Sequence, residues 1–303
     1  MKIQKARKEL ERCDSSGHNL CVVATFVLVH GSFCNSGVWA RVAGELALRG
    51  HRTVAVDLPG HGLGATVPLA YRCPQDVDGL AAAPSGMAGI STSDDIALVS
   101  DVVRRASSLG PVVLVGHSRG GLTVTAVANR LPELISRAVY VSAWCPAGRT
   151  VSEYQELPEL AEGLLTEVAA IAVGDPGRLG ALRLNWLTGD PIHLDAIQRL
   201  LLADGNREEL LGYLQFHQPD EALRIDETAT KVDPETWGRV PHSYVRLTED
   251  LALPLTVQDR LIKDADELCP DNPFDVHSLA SSHIGFQLRP TRIVDILDAL
   301  PTS

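Results

Sequence analysis

Short apolar runs rich in valine recur along this chain, separated by polar stretches in which apolar residues fall three or four apart. The first pattern predicts buried strands, the second helices with one apolar stripe. VVATFVLVHG, from Val22 to Gly31, predicts the first strand. After it, Trp39, Val42, Leu46 and Leu48 predict a helix with an apolar face, and Gly50 predicts its end. HRTVAVDLPGHG predicts a second strand that runs into a glycine-rich loop. DDIALVSDVVRRASSLG predicts a helix with Ile96, Val99 and Val103 on one side, capped by Ser93 or Asp94. PVVLVGHSRGG, Pro111 to Gly121, opens as a β-branched run and passes into the helical sequence LTVTAVANRL, which stops before Pro132. RAVYVSAW, Arg137 to Trp144, predicts a further strand. Strands alternating with helices predict an α/β fold with a mostly parallel sheet covered on both faces.

The alternation breaks after Gly148. From there to Glu235, Leu and Ala recur at helical spacing, punctuated by Pro158, Pro176, Pro191 and Pro219, and no strand is evident. Residues 148–235 are therefore expected to form a helical cap, inserted into a sheet domain made of 22–147 and 236–303. The rhythm resumes with the strand HSYVRL (His242 to Leu247), the helix TVQDRLIKDAD, the last strand FDVHSL and the closing helix TRIVDILDAL. Residues 1–21 are polar and predict a loose arm or short helix outside the core. Lys2, Lys5, Arg7 and Lys8 precede no long apolar run, so a signal peptide is not predicted. A long loop rich in Pro, Gly and Ala, from about Leu63 to Ser91, is of the kind that borders a functional site.

Composition narrows the function. The 303 residues suffice for one large domain with a smaller cap, and 45% hydrophobic residues suffice to fill its core. A net charge of −11 argues against nucleic acid and anionic membrane as partners. No apolar run approaches the ~20 residues that a membrane span needs. Cys13, Cys21, Cys34, Cys73, Cys145 and Cys269 form no C-x-x-C pair. That argues against a metal site or a disulfide framework, and for a reducing, cytoplasmic setting. The pattern does not encode an oligomeric state, and a homodimer is compatible with it.

One motif brings chemistry. Gly116-His117-Ser118-Arg119-Gly120 lies between a predicted strand and a predicted helix, the setting of a G-x-S-x-G nucleophile elbow. Such a turn leaves no room for a Cβ at its glycines and pushes the serine hydroxyl out toward the first helical N–H groups. A serine nucleophile needs a base, an acid to orient the base, and two N–H groups for the oxyanion. With this elbow the acid comes next along the chain and the histidine last. FDVHSLASSHIGF offers His277 and His283. His277 falls inside a predicted strand and reads as an ordinary sheet histidine. His283 lies in the loop beyond and is the candidate base. Past HSYVRL, Glu249 and Asp250 both qualify as the acid, and spacing does not separate neighbours. One oxyanion donor is the N–H of Arg119, and the other belongs to the loop His30-Gly31-Ser32-Phe33. The Arg119 side chain is expected to pair with a nearby carboxylate, with an acidic group of the substrate as the alternative partner. Phe33, Trp144 and Trp186 are candidate substrate contacts, and Tyr154, Phe216 and His217 are further pocket candidates; for Trp144, Tyr154, Phe216 and His217 core packing is at least an equal explanation.

These residues carry a resemblance. FVLVHGSFCNSGVW, VDLPGHG, VVLVGHSRGGLTVTAVA, YVRLTEDLALPLTVQ and SSHIGFQLRP follow in an order that resembles the α/β-hydrolase superfamily, over about Phe26 to Leu300. Within it the chain is most similar to the branch of plant methylesterases, hydroxynitrile lyases and their bacterial esterase-like relatives. The cap matches only in position. The resemblance implies Ser118 as nucleophile, His283 as base and Asp250 as acid. It implies the N–H groups of Ser32 and Arg119 as the oxyanion hole, with Phe33 as the alternative donor. The lyases of the branch carry a lysine directly after the catalytic histidine. Ile284 stands there, so cyanohydrin cleavage is not expected.

The expected reaction is ester hydrolysis through an acyl-enzyme, on a small to medium, largely apolar substrate, with no metal or organic cofactor. Carbon–carbon bond hydrolysis or lactone opening with the same triad is the alternative. A non-hydrolytic dehydration or cyclisation, and a ligand receptor on a hydrolase fold, are further readings.

Overall fold

The computed structural model describes residues 23–302. The expected arm over 1–21 lies outside the described residues, as does Val22. Along the chain, β1 (Thr25–Val29) leads through α1 (Ala40–Leu48) to β2 (Arg52–Val56). Helix α2 (Thr92–Ser107) precedes β3 (Val112–Ser118), α3 (Gly120–Arg130) and β4 (Arg137–Ala143). The cap segment holds β5 (Ala181–Arg183), α4 (Pro191–Leu202), α5 (Arg207–Tyr213) and β6 (Asp220–Ala222). The chain closes with β7 (His242–Leu247), α6 (Leu255–Leu268), β8 (Asp275–Leu279) and α7 (Thr291–Ala299).

Six strands form one sheet in the order β2-β1-β3-β4-β7-β8, all parallel. Alternating side chains feed two cores, one on each face. Phe26, Leu28, Val113, Val115, Val139 and Val141 pack with Val42 and Leu46 of α1 and with Ile293 and Val294 of α7. Val27, Val29, Val112, Leu114 and Tyr140 pack with Val99 and Val103 of α2, Val124 of α3 and Ile262 of α6. This two-sided burial is why the central strands read as unbroken apolar runs. The chain goes from β1 to one side and from β3 to the other. The loops leaving these two strands therefore part and open a crevice at the strands' C-terminal ends.

Three local expectations change. Leu48 is 83% exposed and does not join the apolar face of α1, because it lies half a turn away from Leu46. Helix α2 is capped by Ser91, whose backbone N–H and hydroxyl both reach the Asp94 carboxylate, so Ser93 and Asp94 already lie inside the helix. The cap segment is not purely helical, since β5 and β6 pair antiparallel. Their pairing is fixed by charge rather than by apolar alternation. Arg183 faces Asp220 in register and holds it through two bonds, of 2.5 and 2.7 Å. The same guanidinium donates to the carbonyls of Leu80 and Ala83, which ties down the long loop before α2.

Candidate active site

Ser118 ends β3 with a backbone φ of +54°. Pairing with β4 slips at this point: His117 faces Val141, but Ser118 faces Ala143. The residue passed over, Ser142, also has a positive φ, +38°. Non-glycine residues are costly in this region, and such strain clusters at functional sites. A Cβ on Gly116 would sit 2.9 Å from the backbone of Gly120, so strand and helix nearly touch. Helix α3 starts at Gly120 and leaves its first N–H groups without intrahelical partners right after Ser118.

His283 and Asp250 come from loops beyond β8 and β7 and meet behind the elbow. The His283 Nδ1–H donates to Asp250 Oδ2 over 2.6 Å, and both side chains are buried. Oδ2 also accepts the Ser142 hydroxyl at 2.6 Å, while Oδ1 accepts the backbone N–H groups of Ala252 and Leu253 at 2.8 and 2.9 Å. Four donors thus converge on one carboxylate, whose two oxygens act only as acceptors here. A proton held on Nδ1 leaves the lone pair on Nε2, the arrangement a general base requires. Glu249 is exposed, so burial separates the two neighbours that spacing could not. His277 lies in β8, with its Nε2 3.1 Å from Asp275 Oδ2.

The opposite wall is built from the loop after β1. A Cβ on Gly31 would lie 2.9 Å from Ser118 Cβ, so this loop passes directly over the elbow. His30 sits beneath it, with Nδ1 2.8 Å from the Gly31 carbonyl and Nε2 accepting the Leu58 N–H at 3.2 Å. Burial, aided by the nearby His61, pushes His30 down to about 4, so it is neutral at pH 7. Phe33 has φ +61°, and its N–H donates to Glu221 Oε2 at 2.7 Å. That bond engages the N–H of Phe33, the alternative oxyanion donor. Arg119 pairs with Glu221 Oε1 at 2.9 Å, and Asp95 lies 3.9 Å from it. Burial opposes ionisation of Glu221, but Arg119 and His61 outweigh it and hold the carboxyl well below the usual range. Burial pushes Asp95 up to about 6, against the pull of Arg119.

A cavity of about 920 Å³ lies between these walls and the cap segment. Ser32, Ser118, Arg119 and His283 all line it, as do Phe33, Trp144 and Trp186. Its remaining surface is mostly apolar, with Leu184, Leu200, Leu253 and Ile284 among the contributors. His217 lines it too, pushed by burial down to about 3. Tyr154 is instead a core residue bonded to the Ala147 carbonyl, and Phe216 is 38% exposed. Among the described residues no group of three or more His, Cys, Asp or Glu could hold a metal ion.

A model of the alpha/beta hydrolase family matches residues 26–296. The chain belongs to this family. This hydrolase is 24% identical over 276 residues to a pyrethroid hydrolase of Sphingobium wenxiniae, covering 91% of this chain and 86% of that protein. It is 27% identical over 290 residues to an esterase of Oryza sativa subsp. japonica, covering 90% and 93%. The crystal structure of polyneuridine aldehyde esterase superposes with a TM-score of 0.66 at 21% identity, over 91% of this chain and 98% of that one. The relatives come from a plant and from a bacterium, as the motif resemblance implied.

Four polar contributors to the hydrolase site were not anticipated. Ser142 is an ordinary strand serine by pattern, and only the slip in pairing turns its hydroxyl to Asp250. Asp95, His61 and Glu221 lie far apart in sequence and meet around the Arg119 side chain and the Phe33 amide. The single forewarning was Arg119 itself, a cation at an elbow that needs a partner.

Proposed function

We propose that this hydrolase cleaves a carboxylic ester of a small to medium, largely apolar substrate. Ser118 Oγ attacks the ester carbonyl while His283 Nε2 takes its proton. Asp250 orients the ring and stabilises the imidazolium. The N–H groups of Ser32 and Arg119 bind the oxyanion, each contributing ~3–4 kcal/mol. His283 returns the proton to the leaving alkoxide, and an acyl-enzyme remains on Ser118. Water then attacks the acyl carbon, giving its proton to His283, and the acid departs as Ser118 recovers its hydroxyl.

The observation that carries this reading is the 2.6 Å bond from His283 to Asp250, with Ser118 and His283 on the wall of one mostly apolar cavity. Relatives called an esterase and a pyrethroid hydrolase support ester chemistry. Ile284, buried where the lyases of the branch have lysine, supports hydrolysis over cyanohydrin cleavage. No helix among the described residues is long and apolar enough to cross a membrane. The four described cysteines are free, which fits a reducing compartment. The test is turnover of p-nitrophenyl acetate. Ser118→Ala should lower kcat by roughly 10⁵-fold or more, and full activity in that variant would end the proposal.

A further inference from the structure

Glu221 belongs to β6 in the cap segment, yet it bonds Phe33, the neighbour of the proposed oxyanion donor Ser32, and the side chain of Arg119, the other proposed donor. Its Oε2 accepts the Phe33 N–H at 2.7 Å and lies 3.4 Å from His61 Nε2. Its Oε1 accepts Arg119 Nη1 at 2.9 Å and its neighbour's Ala222 N–H at 2.9 Å. Arg119 Nη2 reaches the Ala222 carbonyl at 3.2 Å, and the Phe33 carbonyl accepts the Gln218 N–H at 2.8 Å. The strained Phe33 backbone is therefore pegged on both sides by cap residues. Fixing the Phe33 N–H fixes the peptide plane that adjoins Ser32. Fixing the Arg119 side chain fixes the residue whose own N–H is the second donor. We propose that Glu221 is a positioning residue, which uses one carboxylate oxygen for each half of the oxyanion hole and so couples the seating of the cap to transition-state stabilisation.

The inference rests on the hydrolase reading above. Its physical basis is that a donor displaced by about 1 Å loses much of its effect on the barrier. A buried ion pair is by itself weak evidence for stability. An ion pair that served only to hold the cap would require Arg119 and nothing from Phe33.

The experiment compares native protein, Glu221→Gln, and the double variant Glu221→Gln/Arg119→Met. Each is measured for kcat and KM on p-nitrophenyl acetate and for affinity toward an aryl trifluoromethyl ketone, whose hemiketal oxyanion occupies the hole. In Glu221→Gln, Arg119 keeps the carboxamide oxygen and the NH₂ is left against the Phe33 N–H, donor facing donor. We expect kcat to fall about 10- to 100-fold with KM within about threefold, and the ketone to weaken in parallel with kcat. In the double variant no cation competes, so the carboxamide oxygen can turn to Phe33, with its NH₂ then toward the Ala222 N–H. Its kcat should rise severalfold above that of Glu221→Gln and stay below native, because the Phe33 half is restored and the Arg119 half is not.

A kcat within about twofold of native in Glu221→Gln would overturn the inference. So would a folded double variant no faster than Glu221→Gln. If Glu221→Gln alone does not fold, the double variant decides by itself, and a kcat within about twofold of native there overturns the inference. Native protein that neither turns over the ester nor reacts with a fluorophosphonate would sink the hydrolase reading first, and this inference with it.

Discussion

Two buried carboxylates flank the elbow from opposite regions of the molecule. Asp250 sits in the loop just past β7, and its four donors come from β4, from the loop carrying His283 and from its own turn. Glu221 sits on a three-residue cap strand, and its partners come from the β1 loop, the elbow and the glycine-rich loop after β2. Both are fully engaged, but they are satisfied differently. Asp250 is neutralised by no arginine and holds one imidazole. Glu221 is matched by Arg119, with His61 beside it and with Asp95 behind the same cation. Partners drawn from the sheet domain make a carboxylate's geometry independent of the cap. Partners divided between cap and sheet make it report whether the two are seated together.

The comparison can be broken at several points. Asp250→Asn should keep the fold and lower kcat about 10⁴-fold, because the ring loses its preferred tautomer. A loss under tenfold would remove Asp250 from the argument.

Behind Arg119, burial pushes the folded pKa of Asp95 up from its ordinary 3.8 to about 6. An acid raised in this way contributes its stability below about pH 4 and loses it as the pH climbs through about 6. Asp95→Asn cannot ionise. Its stability relative to native should therefore rise by roughly 2–3 kcal/mol from pH 4 to pH 7, read from urea midpoints. A difference that does not move with pH would mean Asp95 does not titrate there.

Glu221→Gln should fall next in size, about 10- to 100-fold in kcat. Its effect should shrink when Arg119 is also removed, whereas Asp250→Asn should show no such rescue. Ser142→Ala should be mildest. Asp250 Oδ2 keeps its bond to His283, so about 1 kcal/mol is lost, roughly fivefold in kcat. A hundredfold loss would make Ser142 more than a support.

The alternating strands and helices were legible along the chain, as were the elbow around Ser118 and the loops that offer His283 and the pair Glu249 and Asp250. Each rests on a local rule: the unbroken apolar run of a strand buried on both faces, the glycines of a tight turn, the loop just past a strand end. Leu48 shows how narrow such rules are, since two residues along a helix suffice to turn a side chain to solvent. Burial separated Asp250 from Glu249, because adjacent residues on one loop share every local signal.

β5 and β6 escaped the pattern because they are three residues long and held in register by Arg183 and Asp220. Strands that short carry no period. The Glu221 cluster escaped for a deeper reason. Phe33, His61, Asp95, Arg119 and Glu221 share no spacing, and each alone looks like a solvated or incidental group. By itself the sequence determined the fold and a set of chemically able residues. Tertiary structure alone decided which polar groups lost their water together, and desolvated groups with no other partner must satisfy one another.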